Sequence, residues 1–246
     1  MSDRPTRHRP HSEAADLDVR TQIASHRRVD PDNWKNIYVI GDVHGCRATL
    51  ERLLDQISFD PTDLLVFVGD LVRKGPDSAG VLDFVRIHDN AISVRGNNEQ
   101  GLIDGTKSAP GLDGDDIAYL ESFPVAISWD DRLVVHGGVD HRKPLGDHDI
   151  DDLLSMRSLT GGGYERPYWF ERRRQTPRVF FGHTVLAEPF ATPWAVGLDT
   201  GCVYGGSLTA YDCANEEFIA VAPPETHKER SDDSIVAPRP ELVHER

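Results

Sequence analysis

Lysine is scarce in this chain, with five residues in 246. Arginine supplies the rest of the 27 basic side chains, against 41 Asp and Glu, and the formal net charge is -14. A surface so short of positive charge repels nucleic acid and anionic lipid over most of its area, which argues against a role on either. An anionic substrate must then be drawn in by a local cationic feature such as bound metal. Asp outnumbers Glu by 28 to 13, a bias that resembles the cytosolic proteins of halophilic organisms, where salt screens the excess. Cysteine is sparse too: Cys46, Cys202 and Cys213 are odd in number and show no C-x-x-C spacing. That excludes a disulfide framework and a thiolate zinc site, and reads as free thiols in a reducing compartment. No apolar run approaches a membrane span, and residues 1–33 carry Arg, His and Asp where a secretory signal needs an apolar stretch. The expectation is a soluble, cytoplasmic protein.

The length suits one large domain with a real hydrophobic core. Residues 1–33 and 223–246 are charged and Pro-bearing without a sustained apolar period, and are expected to be disordered tails around a catalytic domain over 34–222. Within it, residues 36–40 (NIYVI) and 64–68 (LLVFV) are compact apolar runs of the kind buried on both faces of a sheet, and each runs into Gly-Asp. Residues 47–57 and 77–87 have apolar residues at three- and four-residue spacing and predict helices, with Asp77 as N-cap of the second. Further strands are predicted at 91–94, 125–129, 133–135, 179–181, 194–198 and 208–211. The pattern is that of a layered α/β protein whose helix-poor later half forms a second sheet with antiparallel pairs.

Polar residues at the carboxyl ends of strands converge on one crevice in such folds. Here the strands end in Gly41-Asp42-Val43-His44-Gly45, Gly69-Asp70, Arg95-Gly96-Asn97-Asn98-Glu99, His136-Gly137-Gly138 and Gly182-His183-Thr184. Singly, an Asp after a strand is commonly a turn residue or N-cap. Together they offer three His, two Asp and one Asn, with Asp70 following Asp42 by 28 residues and Asn97 following Asp70 by 27. Nitrogen and oxygen donors with one amide suit a pair of borderline divalent ions such as Mn, Fe, Co, Ni or Zn rather than Ca.

These motifs, in this order, resemble the calcineurin-like metallophosphoesterases, in the branch shared by phosphoprotein phosphatases and bacterial diadenosine tetraphosphatases. The resemblance covers about residues 36–212, and GDLVRKGPDS (69–78) and GLDTGCVYGGSLTAY (197–211) look like the ApaH-like phosphatases of that branch. It implies an α-β-β-α four-layer sandwich with a mixed double β-sheet and metals at the sheet edges. By matching motif, Asp42 and His44 would hold one metal, Asn97, His136 and His183 the second, and Asp70 would bridge them. Two ions about 3.5–4 Å apart can trap a bridging hydroxide and neutralise phosphoryl oxygens at once. Lys74 stands where the family has an Arg, so it is the first phosphate-binding candidate. Arg95, which precedes the metal loop as in relatives, Arg157 and Tyr204 follow as substrate-binding candidates. The scattered Trp34, Trp129, Trp169 and Trp194 read as packing residues, and the triplet Arg172-Arg173-Arg174 as a solvated helix face.

The phosphoprotein phosphatases carry a His after the metal-binding Asn, held by an Asp, and this dyad is credited with protonating the leaving oxygen. This chain has Asn98 and Arg73 there. An amide donates a hydrogen bond but supplies no proton, so the general-acid help typically worth about 10² to 10⁴-fold is missing at position 98. A phosphoanhydride expels a stable anion and suffers least from that loss. The reading is a dinuclear phosphohydrolase acting on a phosphorylated small molecule such as a dinucleoside polyphosphate, with a phosphoprotein phosphatase and a non-catalytic metal-binding module as alternatives. His141 is the nearest substitute acid in sequence, and also reads as an exposed loop residue.

Overall fold

The computed structural model describes residues 25–161 and 163–239. Among these described residues, twelve strands form two six-stranded sheets. The first contains β2 (Ile37–Ile40), β3 (Leu64–Phe67), β4 (Ala91–Ser93), β10 (Asp199–Thr200), β11 (Ser207–Asp212) and β12 (Glu217–Val221), in the order β10-β11-β2-β3-β4 with β12 also on β11. Strands β2, β3 and β4 are parallel, and β11 is antiparallel to β2, β10 and β12. The second contains β1 (His26–Arg28), β5 (Ala126–Trp129), β6 (Arg132–Val134), β7 (Arg178–Phe181), β8 (Phe190–Ala191) and β9 (Ala195–Gly197), ordered β1-β5-β6-β7-β9-β8. It is also mixed: β5 and β6 are antiparallel, as are β8 and β9, while β6, β7 and β9 are parallel.

The two-residue period of the strands sorts their side chains into separate cores. Ile37, Val39, Leu64, Val66 and Val68 face the other sheet and meet Ile127, Trp129, Val134, Phe180 and Val196. Their neighbours Tyr38, Ile40, Leu65 and Phe67 face outward onto Leu50 and Leu53 of α1 (Arg47–Ile57) and Val81 and Leu82 of α2 (Ser78–Ile87). On the far side, Leu133, Val179 and Phe181 meet Leu153 of α5 (Ile150–Ser155) and Trp169 and Phe170 of α6 (Trp169–Arg172). Three apolar interfaces between four layers is the α-β-β-α sandwich. Helix α2 starts as expected, the Asp77 carboxylate accepting from Gly80 N at 2.8 Å. Two further short helices, α3 (Asn97–Ile103) and α4 (Gly114–Glu121), follow β4.

The tails need correction where they are described. Strand β1 pairs parallel with β5, Val29 N donates to Ser128 O at 2.9 Å, and Val29 packs on the inter-sheet core. At the other end, Val236 is buried beside Leu153 and Trp169 and its N–H donates to Val185 O at 2.8 Å. Main-chain pairing holds both segments, so their polar composition did not reveal them. The expectation for residues 1–24 and 240–246 lies outside the described residues. Among the described residues no helix is long and apolar enough to cross a membrane.

Candidate metal centre

The strand-end loops meet at one edge of the paired sheets. Asp42 and His44 follow β2, Asp70 follows β3, Asn97 opens α3 after β4, His136 follows β6 and His183 follows β7. Tight turns aim them inward: His44, Asp70, Arg73, Lys74 and His183 have φ of 50°, 52°, 73°, 71° and 63°. A non-glycine residue held there costs about 1–3 kcal/mol, a strain that clusters at sites of function. Two glycines clear space for the carboxylates. A Cβ on Gly182 would lie 2.0 Å from Asp42 Oδ1, and one on Gly96 would lie 2.3 Å from Asp70 Oδ1.

All six expected ligands come together. His44 Nε2 is 3.8 Å from Asp42 Oδ2 and 3.6 Å from Asp70 Oδ2, and suitable atoms of these three residues lie within 4.8 Å of one another. On the other side of Asp70, His136 Nε2 is 3.4 Å from Oδ1. Asn97 Oδ1 is 3.1 Å from His136 Nε2 and 3.0 Å from His183 Nδ1. Donors about 2.0–2.2 Å from one ion stand roughly 3–3.5 Å from each other, so the spacing fits. The tautomers fit as well. His136 Nδ1 is 2.8 Å from Val68 O, and His183 Nε2 is 3.1 Å from Ser155 O. With those nitrogens donating to carbonyls, the opposite ring nitrogens, when unprotonated, turn lone pairs toward Asn97. A divalent cation satisfies both imidazoles and the amide oxygen together; otherwise the Asn97 amide turns its NH₂ to the same nitrogens. A cation already lies on His44, whose Nε2 is 2.8 Å from the Lys74 ammonium.

Burial sets the charge states. It opposes ionisation of Asp70, but His136 and His44 outweigh it and hold that carboxyl well below the usual range. Burial pushes His44 down to about 3 and also holds His183 well below its ordinary value, with His136 and Arg157 adding repulsion there. His136 goes up to about 9, because Asp70 outweighs desolvation. Asp42 is raised by burial and then by Asp199, a buried carboxylate at the start of β10 that sequence reasoning did not assign. A cation there relieves that repulsion.

The two departures from the family pattern touch each other. Asn98 N donates to Asp70 Oδ1 at 2.8 Å and Nδ2 donates to Oδ2, while Asn98 Oδ1 accepts from Arg73 Nη1. Glu99 buttresses the same turn, its carboxylate accepting from the N–H groups of Asp70, Val72 and Gly96. A cavity of about 220 Å³ opens here, where Arg73, Lys74, Lys107, Arg157 and Arg230 face Asp42, Asp70 and Asp199. Arg157 Nη2 is 3.3 Å from His183 O, and Tyr204 lies beneath Lys74. Tyr204 packs on Lys74, and Lys74 and Arg157 line the cavity.

Arg95 does not. It turns away from the cavity to donate to Glu121 O at 2.6 Å and Phe123 O at 3.2 Å, bracing the chain between α4 and β5. His141 lines a separate cavity with Arg142, Arg172 and Arg174 and is no substitute acid. The triplet is not a uniformly solvated face, because Arg173 is fully buried and donates to Pro177 O at 3.0 Å. Lys107, Tyr164 and Arg230 were missed. Each lies in a loop or presumed tail with no local pattern, whereas Asp199 follows β9 just as Asp42 follows β2 and could have been found that way.

This sandwich with a two-lobed Asp, His and Asn cluster at its strand ends defines a metal-dependent phosphoesterase, a hydrolase. The chain belongs to the calcineurin-like phosphoesterase family, which it matches over residues 35–191. It is similar to serine/threonine-protein phosphatase 1 of Salmonella typhimurium, at 44% identity over 208 residues, 75% of this chain and 94% of that one. It is also similar to the symmetrical bis(5'-nucleosyl)-tetraphosphatase of Chromohalobacter salexigens, at 28% identity over 260 residues, 74% of this chain and 96% of that one. Among solved structures, a candidate diadenosine tetraphosphatase is 33% identical with a TM-score of 0.72, covering 81% of this chain and 98% of that one.

Proposed function

We propose that this chain hydrolyses phosphoanhydrides of the dinucleoside polyphosphate class, with Asp42, His44, Asp70, Asn97, His136 and His183 holding two divalent ions. The observation that carries this is at position 98. Asn98 sits on Asp70 where a proton donor would serve the leaving group, and its carbonyl is occupied by Arg73. An amide so held orients Asp70 and protonates nothing. Ester substrates, which expel an alkoxide, lose most from this. When bound, the two ions supply the nucleophile and neutralise the attacked phosphoryl group. Lys74 and Arg157 are placed to orient that phosphate from opposite sides of the cluster, and the carbonyls of Val68 and Ser155 keep the imidazoles in their ligating tautomers. Manganese is the first ion to test, given the mixed oxygen and nitrogen donors. Cys46, Cys202 and Cys213 are all free, which supports a cytoplasmic setting. The Asp-rich surface supports a salt-rich one.

The second reading is a protein phosphatase, favoured by 44% identity over 208 residues to the Salmonella enzyme against 28% over 260 residues to the Chromohalobacter tetraphosphatase. A panel separates them: the purified protein with Mn, Co, Ni, Zn or Mg, against diadenosine tetraphosphate, an aryl phosphate and a phosphoserine peptide. Rates should fall steeply in that order. Phosphoserine cleaved as fast as the anhydride would transfer the assignment to the protein phosphatases.

A further inference from the structure

We infer that Arg230 is a specificity residue that binds the phosphate next to the one attacked, selecting a phosphate chain over a lone phosphate. This rests on the phosphoanhydride reading above. Arg230 belongs to the segment after β12 that returns over the metal centre and is clamped on both sides of it. His227 N and Lys228 N both donate to Val203 O, at 3.1 and 3.0 Å, and Val236 N donates to Val185 O at 2.8 Å. Val203 precedes Tyr204, and Val185 lines the cavity of the metal centre. The clamps therefore fix Arg230 against two pieces of the site.

Its side chain lines that same cavity. Nε donates to Ser234 O at 3.0 Å and Nη2 donates to the Tyr164 hydroxyl, while the guanidinium carbon lies 4.7 Å from the Tyr204 ring centre and 5.6 Å from that of Tyr164. Among the described residues, no carboxylate pairs with it. Two aromatic faces and two neutral acceptors hold the group in place without a direct ion pair, and its charge faces the cavity, where Asp199 feels it. In a chain of net charge -14, an arginine held this way is fitted to an anion.

Position decides which anion. Lys74 reaches His44, and Arg157 reaches His183, so those two cations belong to the attacked phosphate. Arg230 touches no expected ligand. It shares Tyr204 with Lys74, which lies 5.3 Å from the ring centre, and shares Tyr164 with Arg157 at 4.9 Å. It thus shares an aromatic neighbour with each inner cation without contacting the imidazoles they reach, and we assign it to a second row. Every phosphate of an anhydride chain carries its own negative charge, and the planar guanidinium pairs with phosphate oxygens two at a time. A phosphomonoester has no second phosphate to offer.

The test compares binding of methylenediphosphonate and methylphosphonate, which have two linked phosphonates and one and are not hydrolysed. Titration calorimetry uses the full chain in excess Mn. In Arg230→Gln the Kd for the diphosphonate should rise about tenfold or more, the scale of one charge-assisted contact, while that for methylphosphonate stays within about twofold. Arg230→Lys should fall between, keeping charge and losing the fork, and it provides the answer if Arg230→Gln does not fold. Equal weakening for both ligands, or none for the diphosphonate, would overturn the assignment and leave Arg230 as an anchor of the returning segment. The two hypotheses fail separately. Lost discrimination in a protein that prefers phosphoserine keeps the contact and removes the substrate reading; retained discrimination in a fast anhydride hydrolase does the reverse.

Discussion

Asp70 is the side chain on which both halves of the cluster depend. Its carboxylate lies between His44 and His136 at 3.6 and 3.4 Å, and Asn98 fixes it through both main chain and side chain. Asp70→Ala should leave fewer than two ions per chain by elemental analysis and abolish turnover with every metal, and wild-type rates in that variant would end the dinuclear assignment. His136 gives a pH signature in the chelated protein. Its folded value of about 9 exceeds the ordinary 6.5, so its stabilisation is complete below 6.5 and is lost as pH rises through 9. The stability difference between wild type and His136→Asn, both chelated, should shrink across that window; a difference flat in pH would mean that Asp70 does not hold the proton there. Asn98 and Arg73 offer a third test, because they already touch. Asn98→His with Arg73→Asp restores a dyad in place and should raise phosphoserine cleavage by up to about 10² to 10⁴-fold while scarcely moving the anhydride rate. Either change alone should do less, since the imidazole needs the carboxylate to hold its proton. An equal gain on both substrates would show that leaving-group protonation is not what limits the native enzyme.

Among the elements, the ones legible in the sequence are those whose side chains announce them. Strands β2 and β3 are apolar at every position because both faces are buried, and α1 and α2 repeat at helical spacing, so their bounds were read to within a residue. The candidate ligands were legible for a related reason: each sits at or just after the end of a strand. Elements held by backbone pairing were not. Strand β1 is His-Arg-Arg, and the segment after β12 is polar for most of its length, yet one completes a sheet edge and the other brings Arg230 to the cavity. Composition alone predicts that residues 32–224 fold and react normally; the structure predicts otherwise. That shortened chain lacks β1, Arg230 and the buried Val236, so it should unfold at lower temperature and bind methylenediphosphonate more weakly than the full chain. Full stability and unchanged affinity would return both segments to the status of tails.

Across the whole molecule, charge acts with opposite signs in two places. The chain carries a large acidic excess, 41 Asp and Glu against 27 Lys and Arg, and its self-repulsion weakens the folded state at low ionic strength. The cavity concentrates five of the basic side chains around three carboxylates, so its field attracts the substrate that the rest of the surface repels. Salt screens both over a Debye length of about 10 Å at 0.1 M and about 3 Å at 1 M. Between dilute buffer and molar KCl the unfolding midpoint should therefore rise, by about 2–4 °C for each kcal/mol gained in a chain of this size. Over the same range, the KM for diadenosine tetraphosphate should rise more than that for an aryl phosphate, because the longer anion draws on more of the cavity's charge. Thermal unfolding and initial rates on one salt series give both slopes. A midpoint that falls with KCl would show that attractive ion pairs outweigh surface repulsion, and a KM that falls with it would show that the acidic surface, rather than the cavity, governs how the substrate approaches.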